Sequence, residues 1–407
     1  MLQTITEKPN AWKGRKPRVL FYSHDTFGLG HLRRSHAIAS ALTADNPEMS
    51  AIILTGSPVA GRFAFPKRVD YIRLPGVTKK SDGSYVSETL GLDIEETTAL
   101  RSGLIKSAVE IFDPDLLIVD KEPTGFRGEL MPALHWLKRN SPAKLVLGLR
   151  DVLDEPDVLA AEWARKGAVE ATEEFYDDIW VYGLESIYDP TVGLNFAAAV
   201  RDRMHFTGYI RRKVTSVRHD NVEPYILITP GGGGDGEAMV NLVLAAYEQD
   251  PDLSPKAVLV YGPFLSGDKS AEFEARVEKL HGRVRTLGFE SKIENLFADA
   301  QGVISMGGYN TFCEVLSFDK PAVIVPRTVP RLEQYIRACR AEELGLVKMI
   351  DETRDGMTPA AMIKAIRNLP LQAPPSACVY PGLLDGLEKI CDRVRVLTAA
   401  FADAKVG

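Results

Sequence analysis

Cysteine is scarce in this chain: four residues in 407, Cys313, Cys339, Cys378 and Cys391. None forms a Cys-x-x-Cys pair, so the spacing suits neither a zinc site nor a disulfide framework, and a reducing compartment fits best. No apolar run approaches the roughly 20 residues of a membrane span. Met1 to Pro17 is polar and carries no apolar core of a signal peptide. Basic excess is missing too. The net charge is −6, which argues against a nucleic-acid binder, since such proteins present a basic face. The expectation is a cytoplasmic protein. Hydrophobic content of 45% and charged content of 26% are ordinary for a soluble globular chain, and the length suits two domains.

What the chain does have is glycine, 33 residues of it, and its placement is informative. Three glycine-bearing turns each follow a short apolar run and precede a helical pattern. The first run, Arg18 to Ser23, leads into His24-Asp25-Thr26-Phe27-Gly28-Leu29-Gly30-His31 and a helix over about Leu32 to Leu42. The second, Tyr225 to Thr229, leads into Pro230-Gly231-Gly232-Gly233-Gly234-Asp235-Gly236 and a helix from about Glu237. The third, Gly302-Val303-Ile304, leads through Ser305-Met306 into Gly307-Gly308-Tyr309 and a helix from Asn310. A strand, a glycine turn and a helix start aim free backbone N–H groups and the positive end of a helix dipole at one spot, where a phosphate can sit. Any one such turn can also be an ordinary βα connection. Five glycines ahead of one helix are harder to explain by packing, because each costs backbone entropy. That second turn lacks the Lys-Ser/Thr ending of a P-loop, which speaks against Walker-type ATP chemistry. Glu314 falls one turn after Asn310 on the same helix face. A carboxylate there can accept hydrogen bonds from two adjacent hydroxyls, as on a ribose.

The remaining pattern alternates strands with helices. Ala51 to Leu54, Arg68 to Leu74, Asp115 to Asp120, Lys144 to Gly148, Asp178 to Gly183 and Met204 to Gly208 read as strands of a first sheet, with a helix over about 93–112. Ala257 to Gly262, Val284 to Gly288, Pro321 to Pro326 and Leu346 to Ile350 read as strands of a second. This spacing predicts an α/β fold of two doubly wound parallel sheets. The expected division is a basic tail at 1–16, a first Rossmann-like domain at 17–209, a linker at 210–224, a second Rossmann-like domain at 225–381 and a closing helical segment at 382–407. The tail, with Lys8, Lys13, Arg15 and Lys16, is either a solvated terminus or a weak anchor to anionic lipid. The polar loop Lys79 to Ser84 is a candidate acceptor rim.

Two residues stand out for proton chemistry. His31 has an unperturbed pKa near 6.5, suited to removing a proton from a hydroxyl; capping a helix start is its other role. Asp25 is the second candidate base. Asp120 ends a buried strand, where a salt bridge is its ordinary role. Arg150-Asp151 stands at another strand's carboxyl end, the edge where open α/β sheets bind ligands; the pair either contacts an acceptor or caps the helix that follows. His24 and His36 read as structural.

The order Gly307-Gly308, Thr311, Glu314, a Pro-bounded apolar strand and then Glu333-Gln334 resembles the nucleotide-sugar site of GT-B glycosyltransferases, most nearly the MurG-like group of glycosyltransferase family 28. The resemblance implies a GT-B architecture, with the last helix crossing back to the first domain. It also implies a donor site. Gly28 and Gly30 face the donor phosphates, Arg212 approaches the nucleotide, and Gly232, Gly233 and Gly234 form a phosphate loop, with Gly234 where the family carries a serine. Phe289 and Glu290 read the base edge. Gly307, Gly308, Tyr309, Asn310, Thr311 and Glu314 hold phosphate and ribose. Glu333 and Gln334 face sugar hydroxyls, where Gln-Gln is commoner in the family. His31 would be the base, oriented by Asp120. The implied activity is transfer of a hexose or N-acetylhexosamine from a UDP-sugar to a hydroxyl of a glycan or lipid-linked acceptor, with inversion. No Asp-x-Asp motif of the kind metal-dependent enzymes use is read, so neither metal nor cofactor is expected. A nucleotide-sugar 2-epimerase or hydrolase of the same fold, or a non-catalytic nucleotide-sugar-binding partner of another transferase, remains open. So do contact with the inner face of a membrane and the oligomeric state.

Overall fold

Apolar runs of a few residues, bounded by Gly, Pro and Asp, become parallel strands buried on both faces, as doubly wound sheets require. The computed structural model describes residues 15–24, 29–79, 84–214, 223–232 and 234–403. The first domain contributes β1 (Arg18–Ser23), β2 (Ser50–Thr55), β3 (Val69–Arg73), β4 (Val77–Lys79), β5 (Tyr85–Ser87), β6 (Leu116–Asp120), β7 (Lys144–Arg150), β8 (Asp178–Tyr182) and β9 (Met204–Phe206). Seven of these make one sheet in the order β3-β2-β1-β6-β7-β8-β9, all parallel, while β4 and β5 pair as a separate antiparallel hairpin. Helices α1 (Gly30–Asp45), α2 (Ile94–Phe112), α3 (Met131–Asn140), α4 (Pro156–Lys166), α5 (Ala168–Phe175) and α6 (Ala198–Arg201) cover it.

The second domain holds β10 (Tyr225–Thr229), β11 (Lys256–Val260), β12 (Val284–Leu287), β13 (Gly302–Ser305), β14 (Ala322–Ile324) and β15 (Lys348–Met349). They form a parallel sheet in the order β12-β11-β10-β13-β14-β15. Its helices are α7 (Glu237–Gln249), α8 (Gly267–Glu278), α9 (Ile293–Asp299), α10 (Tyr309–Ser317), α11 (Glu333–Glu343) and α12 (Pro359–Asn368). A last helix, α13 (Gly386–Asp403), leaves this domain and packs against α1, and its Arg393 forms an ion pair with Asp178 of β8 at 3.0 Å.

Both sheets change direction of strand order at one place. β1 lies between β2 and β6, and β10 lies between β11 and β13. Such switch points leave a crevice beyond the carboxyl ends of the two central strands, which is where open α/β sheets bind ligands. The glycine turns after β1, β10 and β13 therefore open into the crevices by topology. The chain crosses between the domains twice, side by side. Tyr209 donates its N–H to Leu383 and accepts from the N–H of Gly386. Gly386 has no room for a side chain there, since a Cβ would lie 2.7 Å from the carbonyl oxygens of both Gly208 and Tyr209.

Several elements differ from the sequence expectation. The hairpin β4–β5 and helices α3 to α5 lie in stretches where no element was read. In α4 and α5 the helical pattern is broken at Gly167, which adopts a left-handed conformation and separates two short helices. Helix α1 starts earlier than Leu32, at Gly30, and α10 starts at Tyr309, with Gly308 as its N-cap residue. Helix α2 begins after Asp93, whose side chain and Glu96 make a reciprocal capping box.

Candidate active site between the domains

One cleft is walled by the two glycine turns of the second domain and by the start of α1 from the first. Gly231 and Gly232 after β10, Gly308, Tyr309, Asn310, Thr311 and Glu314 at and after the β13 turn, and Gly30 of α1 all line it. Phe289, Glu290, Glu333 and Gln334 complete the expected set on its walls. Gly232 comes close to Leu29 of the first domain, so the facing turns nearly touch. Gly307 has φ +73°, and a Cβ there would meet the Ile324 side chain at 2.6 Å. Only glycine fits this position. Its carbonyl accepts from Arg337 at 3.0 Å instead of facing the cleft.

Besides Gly307, which does not line the cleft, three of the expected residues stand elsewhere or do other work. Arg212 lies behind the wall: it donates to the Asn310 amide oxygen at 2.7 Å and to the Arg33 carbonyl at 3.2 Å, and it does not line the cleft. Gly234 also lies off the lining. Asn310 is spent on the domain contact, since its other amide atom donates to the Gly30 carbonyl at 3.0 Å. Asp25, Gly28 and Gly233, together with Lys80 to Gly83 of the expected rim and the tail up to Gly14, lie outside the described residues. Of the basic residues near that tail, Arg15 pairs with Asp113 and Asp115, and Lys16 with Glu48, so neither is a free cation for a lipid surface.

The carboxylates carry the electrostatics. Glu314 is 1% exposed. Burial pushes its pKa up, and Arg33 opposes that. Arg33, from α1, bridges Glu314 and Glu294, the second at 2.7 Å. The acidic grip expected for a ribose is thus held by an arginine of the opposite domain, which the sequence reading missed. Its signal was one helical turn from Gly30 on the same face of α1. At the cleft's other end, Arg327 donates to Glu333 at 2.8 Å and pairs with Asp235 at 2.6 Å. The Gln334 amide oxygen accepts from the Arg327 backbone at 3.2 Å. Phe289 meets the edge of Phe63 from the first domain, with the Arg62 guanidinium above its ring.

His31 sits in the first turn of α1, and Asp120 ends β6, the strand next to β1. The switch point brings them together: His31 Nδ1 lies 2.5 Å from Asp120 Oδ2. Arg34 grips the same carboxylate with Nε at 3.0 Å and an Nη at 2.6 Å, and stacks over Tyr309. Burial would raise the Asp120 pKa, but Arg34 and His31 outweigh it and hold the carboxyl well below its usual range. An ionised carboxylate only accepts, so the proton of His31 stays on Nδ1 and the lone pair on Nε2. Burial lowers the His31 pKa to about 4, with Asp120 pulling the other way. The imidazole is neutral at pH 7.

A second, wider crevice opens on the far side of His31. His24, Lys121, Glu122, Phe126, Lys166 and Arg331 are among its walls. Its charges are mostly paired: Lys166 with Glu122 and Glu162, Lys121 with Glu122, and Arg331 with Glu162 and, across the domains, Asp154. Arg150, Arg327 and Glu333 line both this crevice and the first. These three residues stand at the border of the two crevices. Asp151, expected beside Arg150 as an acceptor contact or helix cap, is buried and held by Arg337 of α11 through two bonds, at 2.6 and 2.8 Å.

The chain does contain two literal Asp-Pro-Asp triplets, at 113–115 and 250–252. The carboxylates of the first pair with Arg15, and Asp115 also accepts from the Arg18 backbone. Asp250 of the second pairs with Arg367. Neither triplet lines the crevices. Among the described residues no helix is long and apolar enough to cross a membrane.

Comparison with known proteins bears on the same halves. Residues 226–375 match the family model described as glycosyltransferase family 28 C-terminal domain. Two relatives, each called an uncharacterized glycosyltransferase, come from Methanosarcina. That of M. acetivorans is 27% identical over 178 residues, 43% of this chain and 44% of that protein, so the match spans less than half of it. That of M. mazei is 23% identical over 357 residues, 84% and 87% respectively. Among solved structures, TcCGT1 in complex with UDP superposes with a TM-score of 0.62 at 15% identity, covering 96% of this chain and 95% of that one. That likeness is one of fold.

Proposed function

We propose that this chain, with a GT-B fold and with residues 226–375 matching the glycosyltransferase family 28 C-terminal domain model, transfers a sugar from a UDP-sugar to a hydroxyl acceptor with inversion, and without a metal. The observation that carries the reading is the pairing of a neutral, Asp120-oriented His31 with a glycine-walled cleft from the opposite domain. In this scheme the diphosphate lies against the Gly231–Gly232 turn and the start of α10. There, backbone N–H groups and the helix dipole favour the charge that grows as the bond to C1 breaks. Donors aimed at that charge act most strongly in the transition state, which is where they accelerate. The ribose hydroxyls compete with Arg33 for Glu314. The acceptor hydroxyl enters from the wider crevice, gives its proton to His31 Nε2, and attacks C1 from the face opposite the diphosphate. Glu333 in place of the commoner glutamine points to a transferred sugar other than the family's usual one, a hexose or N-acetylhexosamine in our reading. A glycan or lipid-linked acceptor in the cytoplasm belongs to the same proposal.

The test is calorimetric binding of UDP to the full chain and to Glu314→Ala. We expect about a tenfold weaker Kd for the variant, in line with the 1.5–3 kcal/mol of a charged hydrogen bond. Equal affinity would remove Glu314 from the ribose. Incubating a UDP-sugar alone and following the sugar by NMR separates transfer from epimerisation or hydrolysis. A transferase leaves the donor unchanged on that timescale, whereas an epimerase or hydrolase consumes it.

A further inference from the structure

Nearly every arginine buried around the two crevices has a carboxylate or carbonyl to hold it. Arg34 grips Asp120, Arg337 grips Asp151, Arg33 bridges two glutamates, and Arg212 reaches Asn310 and a backbone oxygen. Arg150 is the exception. It is the last residue of β7, and its guanidinium makes no hydrogen bond or ion pair with any described residue. Its Nε is fully enclosed and unpartnered. The carboxylate beside it in sequence, Asp151, is taken by Arg337. Burial, with Glu333 as its strongest electrostatic counterweight, lowers the Arg150 pKa to about 10. The guanidinium is half-buried; Glu333 counters its charge without hydrogen-bonding to it, which leaves its N–H donors to an anion that comes from outside.

Position narrows which anion. Arg150, Arg327 and Glu333 are the residues that line both crevices. The charge of Arg327 is already shared between Asp235 and Glu333. Glu333, 4% exposed, keeps one carboxylate oxygen buried with no partner. The junction thus offers one uncommitted cation and one uncommitted acceptor. In a transfer between the two crevices, the bond that breaks must lie at this junction, because the acceptor oxygen reaches C1 only from the wider side. The anion nearest the junction is then the phosphate that carries C1. Arg212, assigned to the nucleotide by resemblance, is turned away behind the wall, and that leaves the role unfilled on the donor side.

Resting on the transferase reading above, we propose that Arg150 is the cation that receives the leaving diphosphate. The bond between C1 and the phosphate oxygen breaks, and its electron pair stays on that oxygen. A bond from the acceptor oxygen to C1 forms as the acceptor proton passes to His31 Nε2. The diphosphate departs with one more negative charge than it had as an ester, and the guanidinium N–H groups of Arg150 donate to it. The free oxygen of Glu333 is left for a hydroxyl of the sugar in transit.

The experiment compares the full-length wild type with Arg150→Met and Arg150→Lys, using inorganic pyrophosphate, uridine and UDP as probes. Without ligand, Arg150→Met should melt near the wild-type temperature, because it breaks no hydrogen bond or ion pair with a described residue. Its affinity for pyrophosphate and for UDP should fall about ten- to a hundredfold, and uridine affinity should not change. Arg150→Lys should restore part of the loss. The proposal is overturned if Arg150→Met binds pyrophosphate and UDP as wild type does, or if it melts well below wild type without ligand. It is also overturned if only the KM for an acidic acceptor changes, since the anion then belongs to the acceptor. Arg150-dependent pyrophosphate binding in a protein that ignores UDP would instead support the anion site and defeat the UDP reading.

Discussion

The two crevices are built in different ways. The donor-side cleft is centred on two short stretches, Pro230 to Gly232 and Gly308 to Glu314, each contiguous in sequence and each a turn into a helix. The wider crevice is assembled from the segments after β1 and β6, the end of β7, α4, α5 and the segment before α11, and it is held by ion pairs such as Arg331–Glu162 and Lys166–Glu122 between residues far apart in the chain. A backbone-walled site reads the same features in any ligand that carries them, here a phosphate. A site walled by paired side chains can change its preference one charge at a time. Under the proposed transfer, the comparison implies a fixed donor chemistry and an adaptable acceptor.

The largest effect that would sharpen this contrast is in turnover. His31 lines the wide crevice and not the donor cleft. His31→Ala should lower kcat by about 10²–10⁴-fold, the usual contribution of a general base, while the Kd for UDP stays as in wild type. Steady-state kinetics beside calorimetry measures both, and a parallel loss of UDP affinity would break the division between the two sides. Asp120→Asn should follow the same pattern through loss of the fixed tautomer, with retained UDP binding as the control.

Next comes a change confined to the donor side. A Cβ at Gly308 would meet no protein atom within 4 Å, so a side chain there projects into the cleft. Gly308→Val should leave the melting temperature near that of wild type and weaken UDP by more than tenfold by filling the phosphate's place. Unchanged UDP affinity would mean the phosphate lies elsewhere.

A pH profile gives a smaller but more specific reading. Because the His31 pKa is lowered to about 4, the base is in its working, neutral form at every pH above that value. The acid limb of kcat/KM should therefore fall near pH 4 and not near the unperturbed 6.5. The sign for stability agrees. Between pH 6.5 and 4 the unfolded chain takes up a proton at His31 that the folded chain refuses, so folding free energy declines over that window as pH drops. An acid limb at 6.5 would remove His31 from the role.

The smallest effect is expected at the crevice rim. Arg331 is partly exposed and pairs with Asp154 and Glu162. Arg331→Ala should cost no more than about 1 kcal/mol of stability and change the acceptor KM a few-fold, with donor KM constant. A large fall in donor affinity would show that the two walls are coupled through the domain contact.

This contrast also explains what could be read without coordinates. The doubly wound parallel sheets were legible because apolar runs alternated with helical spacing, and the glycine turns were legible because each motif is local. Arg33 and the Asp151–Arg337 pair were not, and Arg150 was legible only as a residue at a ligand-binding edge. Their meaning depends on which distant residue takes up each charge, and nothing in the spacing of Asp151 and Arg337 along the chain says that they meet. Arg212 illustrates the converse. A position matched by resemblance puts the residue in the right neighbourhood, yet its guanidinium turns to Asn310 because that amide lies closer than the cleft. The helices α4 and α5 escaped because Gly167 splits them and charged residues interrupt their apolar stripe.

The doubled crossing at Tyr209 and Gly386 has a mechanical consequence. Two strands of chain, bonded to each other and passing at one edge, define an axle and forbid sliding of one half over the other. Any opening must then be a swing, with atoms beside the axle hardly displaced and those at the distant lip travelling furthest. A substrate can enter and a product leave while the residues next to the crossing hold their mutual alignment from one cycle to the next.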